Sequence, residues 1–141
     1  MKNIFFYILA ESEPSDQTTF ACRLTEKVYK QGRNIYINTN DQAHAELVSQ
    51  QLWSLRDDAF IPHQFAGSDD KAPISIGFGE QGAAYSDVII NLASSVPECF
   101  TQFQRILEIV VQDEAILAST RLNYKHYKDK GYPLEYQDMR R

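Results

Sequence analysis

Ser86-Asp87-Val88-Ile89-Ile90-Asn91-Leu92 is the stretch that decides how this chain folds. Val88, Ile89 and Ile90 run together without a polar break, whereas a strand with one wet face alternates apolar and polar residues. Asp87 and Asn91 close the run at its two ends. It predicts a short strand covered on both faces, as in parallel sheets with helices above and below. Such a strand needs neighbours and covering helices, and the flanking sequence supplies both.

Toward the N-terminus, Ile4 to Leu9 reads as another doubly covered strand. The opening residues put Lys2 before an apolar run, as a signal peptide does. That run is short, and Glu11 and Glu13 stand where a cleavage site of small residues belongs. Ser15 or Asp16 is the expected N-cap of a helix whose Phe20, Ala21, Leu24 and Val28 share a face and which Gly32 ends. Ile35-Tyr36-Ile37 is the next strand. Asp41 then caps a helix striped by Ala43, Leu47, Val48, Leu52 and Leu55. Strand, helix, strand, helix is the pattern of parallel crossovers.

Between these elements and the central run, Ala59-Phe60-Ile61 and Pro73-Ile74-Ser75-Ile76-Gly77 are short segments divided by polar loops, which predicts antiparallel additions or edge strands. Beyond the central run, Ser95 and Glu98 have the spacing of a capping box. That helix is expected to hold Cys99 and Phe103 on one side, with Phe100 near that face. Ile106 to Val111 follows as a strand interrupted by Glu108. The last helix runs from about Asp113 to Lys130, Gly131 stops it, and Tyr132-Pro133-Leu134 leaves as an extended tail. The expectation is one α/β domain over residues 1–141. Its architecture is a three-layer, mostly parallel sheet resembling nucleotide-binding folds, with some antiparallel strands.

Composition narrows the function. Apolar residues make up 43% and charged residues 23% of the chain, which excludes disorder. Net charge is −5, unevenly placed: residues 1–120 hold 8 basic and 16 acidic side chains, whereas residues 121–141 hold 6 basic and 3 acidic ones. No run approaches the roughly 18 apolar residues of a membrane span, and a reducing bacterial cytoplasm or similar compartment is the default expectation. Cys22 and Cys99 are too far apart for a zinc spacing and read as small buried residues.

The catalytic motifs that the sequence approaches each lack the context their chemistry needs. Gly77-Phe78-Gly79-Glu80-Gln81-Gly82 matches GxGxxG, but a dinucleotide fingerprint needs those glycines between a strand and a helix, and here another strand follows. Ser94 and Ser95 lack the GxSxG elbow of a hydrolase. Asp41, Asn91 and Asp113 at strand ends read as caps. His44, His63 and His126 have no metal-ligand spacing. No cofactor or metal is expected. An enzyme reading would need convergent polar groups in a pocket outside the carboxyl ends of the strands.

Two features remain. Trp53 projects from the flank of a helix whose Leu52 and Leu55 face the sheet, and Phe60 lies near the next strand. Together they either complete the core or form an aromatic surface for a partner. In the last helix, Arg121, Lys125 and Lys128 share a face at i, i+4 and i+7, flanked by Tyr124 and Tyr127. Cations near a helix C-terminus also complement its dipole. Basic groups interleaved with rings suit an acidic peptide ending in a free carboxylate. Single-stranded DNA, held by phosphate contacts and base stacking, is the alternative. The acidic body would repel a long phosphate backbone, which favours the peptide.

Several segments, in order and spacing, are similar to the chi subunit family of bacterial DNA polymerase III. They are Phe20-Ala21-Cys22-Arg23-Leu24, Leu52-Trp53-Ser54-Leu55 with Phe60-Ile61-Pro62-His63, Asp87-Val88-Ile89-Ile90-Asn91-Leu92, and Arg121 through Tyr132. The resemblance implies a non-catalytic accessory subunit that pairs with the psi subunit of the clamp loader. It also implies binding of the acidic, phenylalanine-ending tail of single-stranded DNA-binding protein. Arg121, Tyr124, Lys125 and Gly131 fall on the tail-binding motif: two cations, a ring as pocket wall, and a glycine that lets the helix end. Trp53 and Phe60 match the psi-contact region. Asn123 stands where relatives often place a basic residue, which implies weaker tail affinity or more reliance on Lys128.

Overall fold

A computed structural model describes residues 3–54, 63–66, 72–79 and 86–140. Its elements are β1 (Asn3–Ile8), α1 (Pro14–Lys30), β2 (Ile35–Thr39), α2 (Gln42–Trp53), β3 (His63–Phe65), β4 (Ile74–Phe78), β5 (Val88–Asn91), a 3₁₀ turn (Glu98–Gln102), β6 (Arg105–Val110), α3 (Glu114–Asp129) and β7 (Leu134–Asp138). The strands lie in the order β3-β4-β2-β5-β6-β1-β7, which puts the Val88–Asn91 strand in the middle. All of β5 is buried, as its unbroken apolar run requires.

Side chains divide by the period of two that a pleated strand imposes. Ile35 and Ile37, Val88 and Ile90, and Leu107 and Ile109 pack with Ala21, Leu24, Val28, Val48 and Leu52 in the layer of α1 and α2. Tyr36, Ile89, Ile106 and Val110 pack on the other face with Phe100, Phe103 and Tyr127. That second layer is built by the 3₁₀ turn and α3. The three-layer α/β expectation is met.

Several local expectations yield to the tertiary fold. Every strand pairing among the described residues is parallel, so the antiparallel additions are replaced by further parallel strands. The α1 N-cap is Glu13 rather than Ser15 or Asp16. Pro14 takes the first helical position, where its missing N–H costs nothing, and Asp16 closes a reciprocal capping box. Leu47 is 59% exposed, because α2 turns Ala45, Val48 and Leu52 to the sheet instead. Ser95 and Glu98 make no capping box. Pro97 intervenes, and a 3₁₀ turn without a side-chain cap follows it. Cys99, Phe100 and Phe103 are nevertheless buried. Asp41 and Asp113 cap α2 and α3 through the amides of His44 and Ile116. Gly77 belongs to β4, away from any helix start, whereas Gly82 and the segment Ala59–Ile61 lie outside the described residues.

The extended tail becomes β7, which pairs in parallel with β1 from Ile4↔Leu134 to Ile8↔Asp138. It forms one edge of the sheet. Among the described residues no helix is long and apolar enough to cross a membrane.

Candidate functional site

The last helix is placed by a buried carboxyl group. Glu108 of β6 points into the α3 layer, and Oε2 accepts from the Tyr127 hydroxyl at 2.6 Å and from Asn91 Nδ2 at 2.9 Å. Its Oε1 accepts from Asn123 Nδ2 at 3.4 Å. Asn91 Oδ1 in turn accepts from Asn38 Nδ2 at 2.9 Å, so a polar chain links β2, β5, β6 and α3. Asn91 is therefore the hub of an internal network and not a helix cap. Burial drives the Glu108 carboxyl up to about 7, against the three hydrogen bonds that lower it. Asn123 faces this network and is buried, so it does not belong to the exposed cationic face.

With Asn123 and Tyr127 turned inward, α3 presents Leu117, Arg121 and Tyr124 toward the β1 end of the sheet. A cavity of about 310 Å³ opens there, lined by Phe6, Val110 and Leu117, by the rings of Tyr124 and Tyr136, and by Arg121 and Arg140. Phe6 lies 5.9 Å from Tyr124 and 6.1 Å from Tyr136, centroid to centroid, and the two tyrosines are 6.1 Å apart. Phe6 and Val110 are buried and form its base, while both arginines are exposed. Arg121 has no ion pair among the described residues. The site is thus an aromatic-walled apolar pocket with guanidinium groups at its edge, suited to an apolar side chain next to a carboxylate.

The remaining cations expected here sit on the same helix. Lys128 places its ammonium 5.9 Å from the Tyr124 ring centroid. Lys125 is exposed and does not line the pocket. Gly131 adopts φ 84° and its N–H returns to Lys128 O at 2.9 Å, ending α3 so that the chain can turn into β7. Tyr136 and Arg140, which complete the pocket, carry no site motif in the sequence. The alternation of Leu134 and Tyr136 with polar neighbours is the signal for a strand there.

Trp53, the other expected contact, ends α2 at 55% exposure with its ring 4.9 Å from that of His63. Phe65 of the edge strand β3 is exposed as well. Trp53 therefore lies on the surface and not in the core. Phe60 lies outside the described residues.

A second cleft, of about 480 Å³, opens outside the carboxyl ends of the strands, where open α/β sheets hold ligands. Polar groups line it, including Asn40, His44, Ser94, Glu108, Asp113 and Asn123. Most have internal duties. Asp113 caps α3, Asn40 Oδ1 accepts from the Ser94 amide at 2.8 Å, and Glu108 is held by its three donors. Among the described residues, no group of three or more His, Cys, Asp or Glu side chains is arranged to hold a metal ion.

Comparison with known proteins agrees across nearly the whole chain. Residues 1–135 match the family described as DNA polymerase III chi subunit, HolC. The DNA polymerase III subunit chi of Pseudomonas aeruginosa is 37% identical over 135 residues, covering 96% of this chain and 95% of the relative. Those of Haemophilus influenzae and Escherichia coli are 27% and 25% identical over 141 residues, covering 98% and 95% of this chain and 98% and 96% of the relatives. With its parallel three-layer fold and end-to-end similarity, the chain belongs to the DNA polymerase III chi subunit family.

Proposed function

We propose that this protein links the clamp loader, through a psi subunit, to the acidic C-terminal tail of single-stranded DNA-binding protein. Family membership makes it a non-catalytic accessory subunit of the DNA polymerase III holoenzyme. The second cleft is accordingly not read as an active site. Tail binding is assigned to the pocket between α3, β1 and β7, and the psi contact to the surface around Trp53, with Phe60 carried over by family resemblance alone.

The observation that carries the tail reading is the apolar cavity beside Arg121, a cation with no ion pair among the described residues. The pocket takes the terminal aromatic side chain, and Arg121 meets carboxylates of the tail. Lys125 and Lys128 extend positive charge along the exposed side of α3, where more acidic residues of the tail can pass. An anionic body opposes the approach of a long phosphate chain, so single-stranded DNA is contacted mostly through its coating protein.

Titration of a labelled tail peptide against the protein and its Arg121→Ala and Lys125→Ala variants tests this. Roughly tenfold weaker binding for Arg121→Ala is expected, with affinity falling as salt rises. Unchanged affinity in both variants, with folding intact, rejects the site. Oligonucleotides that bind without coating protein, more tightly as phosphates are added, would favour direct DNA contact instead.

A further inference from the structure

The pocket has two guanidinium groups, but only one of them is free of an internal partner among the described residues. Arg121 stands on α3. Arg140 follows β7, whose end is fastened when the Met139 amide donates to Ile8 O at 2.8 Å. This bond brings Arg140 to the pocket edge. There Asp138 holds it: Arg140 Nε donates to Oδ1 at 2.9 Å and a terminal guanidinium nitrogen donates to Oδ2 at 2.8 Å. The Arg140 amide also donates to Oδ1, at 3.0 Å.

The geometry points to Arg140 as a second carboxylate-binding residue of the pocket, with Asp138 as an internal competitor that a bound acidic peptide displaces. This rests on the tail-binding reading above and adds a residue from outside the helix to it. The forked pairing with Asp138 is the same arrangement that a peptide carboxylate would make with Arg140. Hydrogen bonds from the Arg140 guanidinium and amide hold the Asp138 carboxyl down at about 2, so the pair is fully charged at neutral pH. Both side chains are about half exposed. An exposed pair of this kind is weak and screened by salt, so it exchanges readily for another carboxylate. A peptide seated with its apolar end among Phe6, Tyr124 and Tyr136 delivers its carboxylates at high local concentration. Asp138 also lies close enough to repel them.

The two residues therefore have opposite effects. Binding of a short labelled peptide, rich in aspartate and ending in phenylalanine with a free carboxylate, is measured by fluorescence anisotropy against wild type, Arg140→Gln, Asp138→Asn and Arg121→Gln. Arg140→Gln is expected to weaken binding roughly three- to tenfold and Asp138→Asn to strengthen it roughly two- to fivefold. Both side chains are on the surface, and unchanged unfolding midpoints would establish that the variants are folded. Loss of binding in Arg121→Gln with none in Arg140→Gln overturns the role of Arg140 and leaves the pocket reading intact. No loss in either variant overturns the pocket reading, and this inference with it.

Discussion

Replacing Glu108 by glutamine isolates a buried carboxyl that ties α3 to the centre of the sheet. Burial holds this group at about 7, against an ordinary value of 4.5. Between those two values the unfolded chain has released a proton that the folded chain retains. Stability from this group is fully present below pH 4.5 and is lost as pH rises through about 7. At about 1.4 kcal/mol per pH unit, the gap between 4.5 and about 7 amounts to about 3 kcal/mol. Glutamine stays neutral throughout and keeps an oxygen for the Tyr127 and Asn91 donors. Urea unfolding of both proteins from below pH 4.5 to above pH 7 gives the wild-type minus variant stability, in which titration of the other carboxylates cancels. That difference should fall by about 3 kcal/mol across the window and then level off. A difference that is flat with pH, or that rises, would refute the reasoning.

Gly131→Ala should cost about 1 kcal/mol, because φ 84° is unfavourable for alanine, although a Cβ there meets nothing within 4 Å. Thermal unfolding should show a Tm lower by about 3 °C; an unchanged Tm would mean that the α3 terminus relaxes without strain. Trp53→Ala removes an exposed ring, so its unfolding midpoint should stay within about 0.5 kcal/mol of wild type. Capture of a psi subunit should meanwhile weaken by roughly tenfold or more, as expected for a large aromatic anchor. Undiminished capture would remove Trp53 from the assigned interface.

Much of the architecture is legible where a local pattern carries it. The uninterrupted Val88-Ile89-Ile90 run, the helix stop at Gly131 and the caps at Asp41 and Asp113 follow from neighbours within a turn or a strand. Arg121 and Tyr124 are likewise legible as a cation and a ring one turn apart on the last helix, although the fold half-buries Tyr124 against Phe6. Local pattern failed where a competing residue or a distant surface intervened. Pro97 breaks the Ser95–Glu98 spacing, and α2 turns Ala45, Val48 and Leu52 to the sheet, which leaves Leu47 on the outer side.

Glu108 looks like an interruption in an apolar strand until Asn91, Asn123 and Tyr127 arrive from three other places in the fold. The pocket has the same character. Phe6 lies near one end of the chain and Tyr136 near the other, and the pairing of β1 with β7 makes them neighbours. The sequence by itself determined the layers, the covered central strand and the charged helix, because periodicity and capping act over a few residues. Tertiary structure alone decided the strand order, the buried carboxyl network and the pocket between α3 and β7. Each of those depends on surfaces that meet only after segments far apart in the chain have packed together.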